Sequence, residues 1–140
     1  MTEQLFQVGV KAFVRRDDGR VLLLREANHP DSYWDLPGGR MDPDETITQT
    51  LVRELREEIC VDYKGIPRLI SAVKSNKVIR DERGEFALML IIFDVNLKDS
   101  ATVRPGEEGT VLEWFTPRDA ADKLRDKFSE EFLKYVRELN

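Results

Sequence analysis

Three glutamates with helical spacing are the residues of this chain best suited to chemistry. Glu54, Glu57 and Glu58 stand at relative positions i, i+3 and i+4, so an α-helix would bring their carboxylates together on one side. Like charges at this spacing repel one another, whereas a hard divalent cation such as Mg²⁺ prefers carboxylate oxygen ligands. The spacing therefore predicts a metal site on a helix.

The same segment also has an apolar side, which we expect to be buried. At about 100° per residue its members are Thr48, Leu51, Val52, Leu55 and Ile59. Acidic helix faces taken alone are more often solvated surface than ligand sets, and Arg53 with Glu57 could equally be an ordinary ion pair worth a few tenths of a kcal/mol. Only a longer pattern decides between these interpretations.

That longer pattern spans Gly39 to Val61. Gly39 is followed after five residues by Glu45, and after seven more by Arg53-Glu54-Leu55-Arg56-Glu57-Glu58-Ile59-Cys60-Val61. This order resembles the Nudix box, G-x5-E-x7-R-E-U-x-E-E-x-G-U, in which U is a bulky aliphatic residue. Every defined position matches except that Cys60 stands where the box has glycine. The preceding run WDLPGG, Trp34 to Gly39, is similar to the family's usual lead-in.

The resemblance to the Nudix (MutT-like) hydrolases implies a reaction. Members of the family use water to cut one phosphoanhydride bond of a nucleoside diphosphate linked to another group. Glu57 and Glu58 are implied as metal ligands, and Glu54 either as a further ligand or as the base that takes the proton from water. Arg53 is implied to orient carboxylates, including Glu45.

Further ligands and partners follow from the same resemblance. The backbone carbonyl of Gly38 is an expected metal ligand, and Glu108, or Glu107 in its place, resembles the late-loop carboxylate of some relatives. The implied cofactor is Mg²⁺, with Mn²⁺ as an alternative. The implied partner is a small-molecule nucleotide, and the oligomeric state is left open, with a homodimer among the arrangements found in relatives.

Basic side chains outside the box are candidates for binding substrate phosphates. We single out Arg25 and Lys74, with Lys77 and Arg80 as weaker candidates, although the sequence does not set the direction of any of them.

Trp34 and Tyr33 could stack on a nucleobase, but for Trp34 a supporting position in the core is the favoured interpretation. The one histidine, His29, is expected to be an exposed bystander in a polar loop.

Cys60 changes the expected end of the helix. The box glycine lies where helices commonly end in a left-handed residue, and any other residue there costs roughly 1–2 kcal/mol. We therefore expect an altered helix exit and a partly buried, structural thiol. A nucleophilic role is disfavoured, because no histidine lies nearby in the sequence and the family attacks with water.

Composition limits the classes of function. The 140 residues suit one Nudix domain over 1–140, with 41% hydrophobic and 35% charged residues. A net charge of −5 argues against a nucleic-acid partner. A lone cysteine suits a reducing compartment, the N-terminal segment lacks a signal-like apolar core, and the apolar run at 87–93 is too short to cross a membrane. We expect a cytoplasmic protein without a membrane partner.

The order of predicted elements indicates an α/β fold. Strands are predicted at 6–14, 21–24, 68–73, 86–95 and 112–116, with a short extended piece at 33–36. The box helix is expected to start near Asp44 or Glu45, and two later helices to be capped by Thr116 and Ser129, the last reaching Leu139. Polar connections are expected at 74–85, with strand character around Val78-Ile79 and a turn at Arg83-Gly84, and at 99–109. This pattern suggests a mixed sheet between helices, and the resemblance implies a Nudix-type α/β/α sandwich with the box as a loop–helix–loop.

The substrate is the least determined feature. The signatures of several subfamilies are missing; Asn76, for example, stands where ADP-ribose enzymes have proline. A short chain without insertions favours a nucleoside triphosphate pyrophosphatase. The alternatives are a Nudix-fold sensor that binds a nucleotide without hydrolysis and an isoprenyl diphosphate isomerase. The complete set of carboxylates argues against the sensor, and the isomerase would require a catalytic cysteine for which Cys60 is poorly placed.

Overall fold

A mixed six-stranded sheet forms the centre of the protein. The computed structural model describes residues 3–98 and 101–139. The strands are β1 (Phe6–Arg16), β2 (Val21–Glu26), β3 (Gly38–Arg40), β4 (Arg68–Asp81), β5 (Gly84–Leu97) and β6 (Thr110–Phe115). The helices are α1 (Ile47–Ile59), α2 (Pro117–Lys123) and α3 (Glu130–Arg137), with a 3₁₀ turn at Leu124–Asp126.

Strand β1 organises the sheet around the functional segment. The order is β4-β5-β1-β2-β6, and β1 runs parallel to β5 along its whole length. The opposite edge of β1 is shared: β3 pairs with residues 9–11, whereas β2 joins only at Arg15. Because β2 pairs only near the end of β1, the middle of this edge is open to β3, which leads into the box and places Gly38 opposite Lys11.

Helices cover both faces of the sheet, each over its own apolar core. On one face α1 packs Leu51, Leu55 and Ile59 onto residues of β1, β2 and β5. On the other face the C-terminal helices and their connection bury Phe128 and Phe132 against β1, β2, β4 and β5. The predicted α/β/α sandwich with a mixed sheet is confirmed.

Helix α1 begins later than the sequence prediction. Thr46, rather than Asp44 or Glu45, is the N-cap: its hydroxyl accepts from the Gln49 amide at 3.1 Å, and the Gln49 side chain accepts from the Thr46 amide at 2.9 Å. This reciprocal capping box satisfies two amides that would otherwise lack partners. The apolar side also differs, because Thr48 is exposed while Thr50 is buried.

Cys60 occupies the glycine position without altering the helix exit. Its φ of 59° and ψ of 37° are left-handed, and its amide donates to the carbonyls of Leu55 and Arg56. The Val61 amide also donates to the Leu55 carbonyl, at 3.3 Å, which completes the usual glycine-type ending. The expected altered helix exit was wrong, because Cys60 adopts the left-handed conformation despite its side chain. The expected partly buried thiol was also wrong, because Cys60 is exposed.

The segment 74–85 is more regular than the predicted polar connection: β4 continues through the strand character expected around Val78-Ile79 to Asp81, and the expected turn follows at residues 82–83. A register shift between Lys74 and Val78 marks a bulge in its pairing with β5. The bulge is anchored from outside the sheet: Ser75 Oγ and the Asn76 amide both donate to the Lys127 carbonyl, each at 2.8 Å. The exposed polar residues of segment 74–81 thus belong to an edge strand. Its bulge binds the connection between α2 and α3 through these hydrogen bonds.

The C-terminal helices begin at the predicted caps, with one difference. Thr116 Oγ1 accepts from the Asp119 amide at 3.3 Å, as expected for a side-chain cap. Ser129 is the N-cap of α3, but its hydroxyl makes no such bond, and it is buried without a hydrogen-bond partner among the described residues. Helix α3 ends at Arg137, two residues before the predicted end.

The predicted extended piece at 33–36 forms only a single bridge, between Asp35 and Leu24, and the strand comes just after it as β3. Part of the predicted 99–109 loop, residues 99 and 100, lies outside the described residues. In the described part of the chain, no helix has the length and apolarity needed to cross a bilayer.

Candidate active site

The three box glutamates line one cavity beside the turn that precedes β3. This cavity, the carboxylate pocket, has a volume of about 300 Å³. Its lining comprises Lys11, Leu24, Glu26, Asp35, Gly38, Glu54, Glu57, Glu58, Glu107 and Thr110. Helix α1 supplies the glutamates, and β1 together with the Gly38 turn supplies the opposite wall. Glu54 and Glu58 therefore lie opposite backbone and a lysine, whereas the Glu57 side chain is 58% exposed to solvent.

Arg53 connects the box carboxylates to one another. Its Nη1 donates to Glu54 Oε1 at 2.8 Å and to Glu57 Oε2 at 3.2 Å. Its Nε and Nη2 donate to the two oxygens of Glu45 at 2.7 and 2.9 Å, and Nη2 also donates to the Arg40 carbonyl at 3.1 Å. The guanidinium hydrogen bonds hold the pKa of Glu45 at about 2. Arg53 is therefore placed to fix the orientation of three carboxylates at once.

Glu58 lies between a backbone amide and a buried ammonium. Its Oε1 accepts from the Gly38 amide at 3.3 Å. Burial raises the pKa of Glu58 to about 8; the Lys11 ammonium opposes this shift, and the nearby Glu54 carboxylate adds to it. Burial therefore favours the protonated carboxyl group, whereas a bound cation would favour the carboxylate.

Two glycines allow backbone and carboxylates to approach each other closely. A Cβ atom on Gly39 would overlap the Glu54 carboxylate, so only glycine leaves Glu54 its present position. A Cβ on Gly106 would overlap the Glu57 carbonyl oxygen. The Gly106 amide donates to the Glu58 carbonyl at 3.0 Å, which docks the loop before β6 on the end of α1.

That docked loop places the two candidate late carboxylates in different positions. Glu107 lines the carboxylate pocket, whereas Glu108 lies in a neighbouring depression together with His29 and Asn28. The structure thus brings Glu107 to the box glutamates and leaves Glu108 beside them. The sequence could not decide between adjacent residues, because the loop has no periodicity.

The basic side chains predicted to bind phosphate do not line the carboxylate pocket. Arg25 donates to Ser32 Oγ at 3.4 Å and its guanidinium lies 5.2 Å from the centre of the Trp34 ring. Lys74 is exposed on β4, and neither it nor Arg25 lines the carboxylate pocket. Arg80 pairs with Glu85. Among the four, only Lys77 lines a cavity next to the carboxylate pocket.

Trp34 and His29 lie where the sequence predicts, whereas Tyr33 lines a cavity. Trp34 packs against the core and meets Phe115 edge to face at 5.1 Å, in keeping with the favoured interpretation. His29 is exposed, and its Nδ1 accepts from the Asp31 amide at 3.1 Å. Tyr33, in contrast, lines the cavity that also contains Lys77.

Sequence reasoning missed a buried charge cluster at the edge of the pocket. Lys11 Nζ and Lys127 Nζ both donate to Asp35 Oδ2, at 3.1 and 2.7 Å. Lys11 also donates to the Leu36 carbonyl at 3.4 Å. One signal could have revealed part of this cluster, because Lys11 interrupts the otherwise apolar run at 8–14. Nothing local marked Lys127.

The residues fit a hard divalent cation, although they do not enclose one in their present positions. Within residues 3–98 and 101–139, no group of three acidic, histidine or cysteine side chains lies close enough together to hold a metal ion as positioned. The acids are turned instead towards Arg53 and the Gly38 amide. The donor set is nevertheless made of oxygens only, a bound cation would offset the burial that raises the pKa of Glu58, and glycine at position 39 leaves room for the Glu54 carboxylate.

Comparison with known proteins identifies the family. The sequence pattern of the NUDIX domain matches residues 5–136. The chain belongs to the Nudix family. A MutT-like protein of Streptomyces ambofaciens is 30% identical over 130 residues, which cover 92% of this chain and 76% of that protein. The CTP pyrophosphohydrolase of Escherichia coli is 28% identical over 113 residues, covering 79% and 76% of the two chains.

Solved structures of Nudix proteins agree with the fold. The MutT protein of Methanosarcina mazei superposes with a TM-score of 0.72 at 23% identity, covering 97% of this chain and 96% of that one. The MutT Nudix hydrolase of Burkholderia pseudomallei superposes at 0.67 with 26% identity, covering 98% of each chain. Family membership makes this Nudix protein a pyrophosphohydrolase, an enzyme that acts on phosphoanhydrides of nucleotide derivatives.

Proposed function

We propose that this Nudix protein is a Mg²⁺-dependent pyrophosphohydrolase of nucleoside diphosphate derivatives, with nucleoside triphosphates as preferred substrates. Mn²⁺ is proposed as an alternative cofactor. The observation that carries the proposal is the convergence of Glu54, Glu57 and Glu58 on one pocket, with Arg53 bonded to two of them and to Glu45.

The proposed ligands of the cation are Glu57, Glu58 and the Gly38 carbonyl, with Glu107 as a further carboxylate. Glu107 takes this place instead of Glu108 because it lines the pocket. When bound, Mg²⁺ lowers the pKa of a water molecule and neutralises charge on phosphate oxygens.

Glu54 is the proposed base. One of its oxygens accepts from Arg53, and this bond orients the carboxylate. A Cβ atom on Gly39 would overlap this carboxylate, so glycine at position 39 leaves room for the observed orientation. A fixed carboxylate can take a proton from the attacking water without first reorganising, which is the condition for efficient general base catalysis.

The preference for nucleoside triphosphates rests on relatives. The Escherichia coli relative is a CTP pyrophosphohydrolase, and one from Bacillus subtilis, 28% identical over 113 residues, is a putative 8-oxo-dGTP diphosphatase. A second substrate class also has support: a mouse diphosphoinositol polyphosphate phosphohydrolase is 32% identical over 110 residues, although the match covers only 62% of that protein. Both classes carry a diphosphate on a larger group.

A panel of substrates tests the proposal. Release of phosphate and pyrophosphate is measured for ordinary and oxidised nucleoside triphosphates, ADP-ribose, dinucleoside polyphosphates, nucleotide sugars and a diphosphoinositol polyphosphate. Each substrate is assayed with Mg²⁺, with Mn²⁺ and with chelator. Glu58→Gln removes one proposed ligand charge, and Glu113→Gln, an exposed glutamate of β6, is the matched control.

We expect metal-dependent turnover of nucleoside triphosphates that falls by at least about a hundredfold in Glu58→Gln and is unchanged in Glu113→Gln. Turnover of another class only would overturn the substrate preference. Nucleotide binding without turnover of any substrate would overturn the hydrolase proposal and favour a sensor.

A further inference from the structure

We propose that Lys11 and Lys127, joined by Asp35, form an anion-binding pair that receives a substrate phosphate in the cavity next to the carboxylate pocket. The inference deepens the proposed function and rests on it, since it requires a substrate with phosphate groups. The anion would be held by the chain's own cations, on the side of the cluster away from the glutamate helix.

The first observation is an uncompensated charge in a buried place. The Lys11 and Lys127 side chains are 6% and 9% exposed, and both ammonium groups bond to the same oxygen of Asp35. The other Asp35 oxygen accepts from the Leu36 amide at 2.7 Å. Glu58 is a second acid close to Lys11, so the missing negative charge is at Lys127, for which Asp35 is the one ion-pair partner among the described residues. A buried excess charge is costly unless an anion compensates it.

The second observation is that hydrogen-bond donors remain available. An ammonium group has three N–H donors. Among the described residues, Asp35 is the single acceptor bonded to the Lys127 ammonium, and Lys11 has Asp35 and the Leu36 carbonyl. Phosphate oxygens are strong acceptors and would satisfy the remaining donors while supplying the missing charge.

The third observation is the character of the neighbouring cavity. It has a volume of about 300 Å³ and its charged lining residues are all basic: Lys11, Arg40, Lys77 and Lys127. No acidic side chain is in that lining, although the chain as a whole carries a net charge of −5. Lys11 also lines the carboxylate pocket, so the two cavities share a wall. One extended phosphate chain could reach both.

The fourth observation is that Lys127 is held in place without a ligand. Its carbonyl accepts from Ser75 Oγ and from the Asn76 amide on the bulge of β4. The centre of the Tyr33 ring lies 5.6 Å from the Lys127 ammonium and 4.8 Å from that of Lys77, so one aromatic ring contacts two cations. A preorganised pair loses little entropy when it binds an anion.

The protonation of Lys127 agrees with this role. Burial lowers the pKa of Lys127 to about 8, and the Lys11 ammonium contributes to the decrease, whereas Asp35 opposes it. Lys11 faces it from β1, Asp35 and Tyr33 from the segment before β3, and Lys77 from β4. A bound anion would favour the protonated lysine, so binding should weaken as the pH rises above about 8.

Metal-free binding of inorganic pyrophosphate tests the pair separately from catalysis. With EDTA present, the affinity is measured by calorimetry for wild type, Lys127→Met and the control Lys134→Met, which removes the same charge from the exposed side of α3. We expect Lys127→Met to raise Kd by about tenfold and Lys134→Met to leave it unchanged. Equal affinities of wild type and Lys127→Met, or no binding by wild type, would overturn the proposal.

A second measurement needs no variant and therefore does not depend on how a variant folds. Methyl NMR of the wild type, again with EDTA, follows Leu88 and Leu90, which line the basic cavity, and Leu24, which lines the carboxylate pocket but not the basic cavity. Pyrophosphate should shift the Leu88 and Leu90 signals. Shifts confined to Leu24 would overturn the assignment.

Kinetics distinguish failure of the pair from failure of the proposed function. With a hydrolysed substrate, Lys127→Met should raise KM by about tenfold, change kcat by less than about twofold, and remove the rise in KM above pH 8. Unchanged KM and unchanged pyrophosphate binding would overturn the pair while the hydrolase remains. Absence of any hydrolysis, with pyrophosphate binding weakened by Lys127→Met, would support the pair and overturn only the proposed function.

Discussion

The guanidinium of Arg53 donates two hydrogen bonds to the carboxylate of Glu45, from Nε to Oε2 at 2.7 Å and from Nη2 to Oε1 at 2.9 Å. This fork leaves Nη1 free to bond Glu54 and Glu57. Glu45 therefore anchors the arginine, and the arginine in turn orients two acids of the carboxylate pocket. The geometry depends on the planar fork, which a lysine cannot reproduce.

Arg53→Lys should consequently damage activity more than stability. The charge remains, but one ammonium cannot keep the bonds to Glu45, Glu54 and Glu57 together, so we expect kcat/KM to fall by about 10- to 100-fold. The matched control is Arg56→Lys, one turn away, where an exposed arginine pairs with Asp62. Steady-state kinetics on the best substrate measure both. Equal activity of the two variants would show that the fork does not matter.

Cys60→Gly should stabilise the protein. Cys60 is the one non-glycine residue with positive φ among the described residues, and glycine adopts that conformation without steric cost. We expect a gain of about 1 kcal/mol in the free energy of unfolding, measured by urea denaturation. Cys60→Ala is the control, because it removes the thiol and keeps the strain. If Cys60→Gly proves no more stable than Cys60→Ala, the left-handed helix exit is not strained.

Glu58 should make the metal-free protein less stable as the pH rises. Its folded-state pKa of about 8 lies above the ordinary value of 4.5, so between these values the folded state holds a proton that the unfolded state has lost. The stability from this group is therefore present below pH 4.5 and is lost towards pH 8. Glu58→Gln should raise the Tm in EDTA more at pH 8 than at pH 5, as followed by calorimetry. Glu113→Gln should show no such difference, and a pH-independent effect of Glu58→Gln would refute the raised pKa.

Glu107→Gln and Glu108→Gln form a matched pair for the late carboxylate. Only Glu107 lines the carboxylate pocket, so its loss should raise the Mg²⁺ concentration required for half-maximal activity by about tenfold. Glu108→Gln should change that requirement by less than about twofold. Titration of activity with Mg²⁺ gives both values, and the reverse order would return the role to Glu108.

Local patterns in the sequence were sufficient to predict the box helix α1. The spacing of Glu54, Glu57 and Glu58 places them on one side of any helix, because the α-helical period is a property of the backbone. The strands predicted at 6–14 and 86–95 are likewise present, as β1 and β5. These features depend on neighbours a few residues apart and therefore appear in the sequence itself.

Helix boundaries and the Cys60 exit were predicted less well. Thr46 and the acidic residues just before it are all suitable N-cap residues. The hydrogen bonds between Thr46 and Gln49 show that Thr46 is the N-cap in the structure. For Cys60, the docking of Gly106 on the end of α1 favours the glycine-type ending even without glycine. Packing at that helix end outweighs a local penalty of about 1–2 kcal/mol.

What only the tertiary structure decided is which distant residues complete the pocket. The bond from Lys127 to Asp35 joins positions 92 residues apart, and Glu107 reaches the glutamates because its loop docks on α1. Such contacts arise when sheet pairing and helix packing bring separate segments together, and no periodicity along the chain records them. The sequence by itself determined the family, the box helix and the side on which its three glutamates lie; the tertiary structure determined which cations lie next to them.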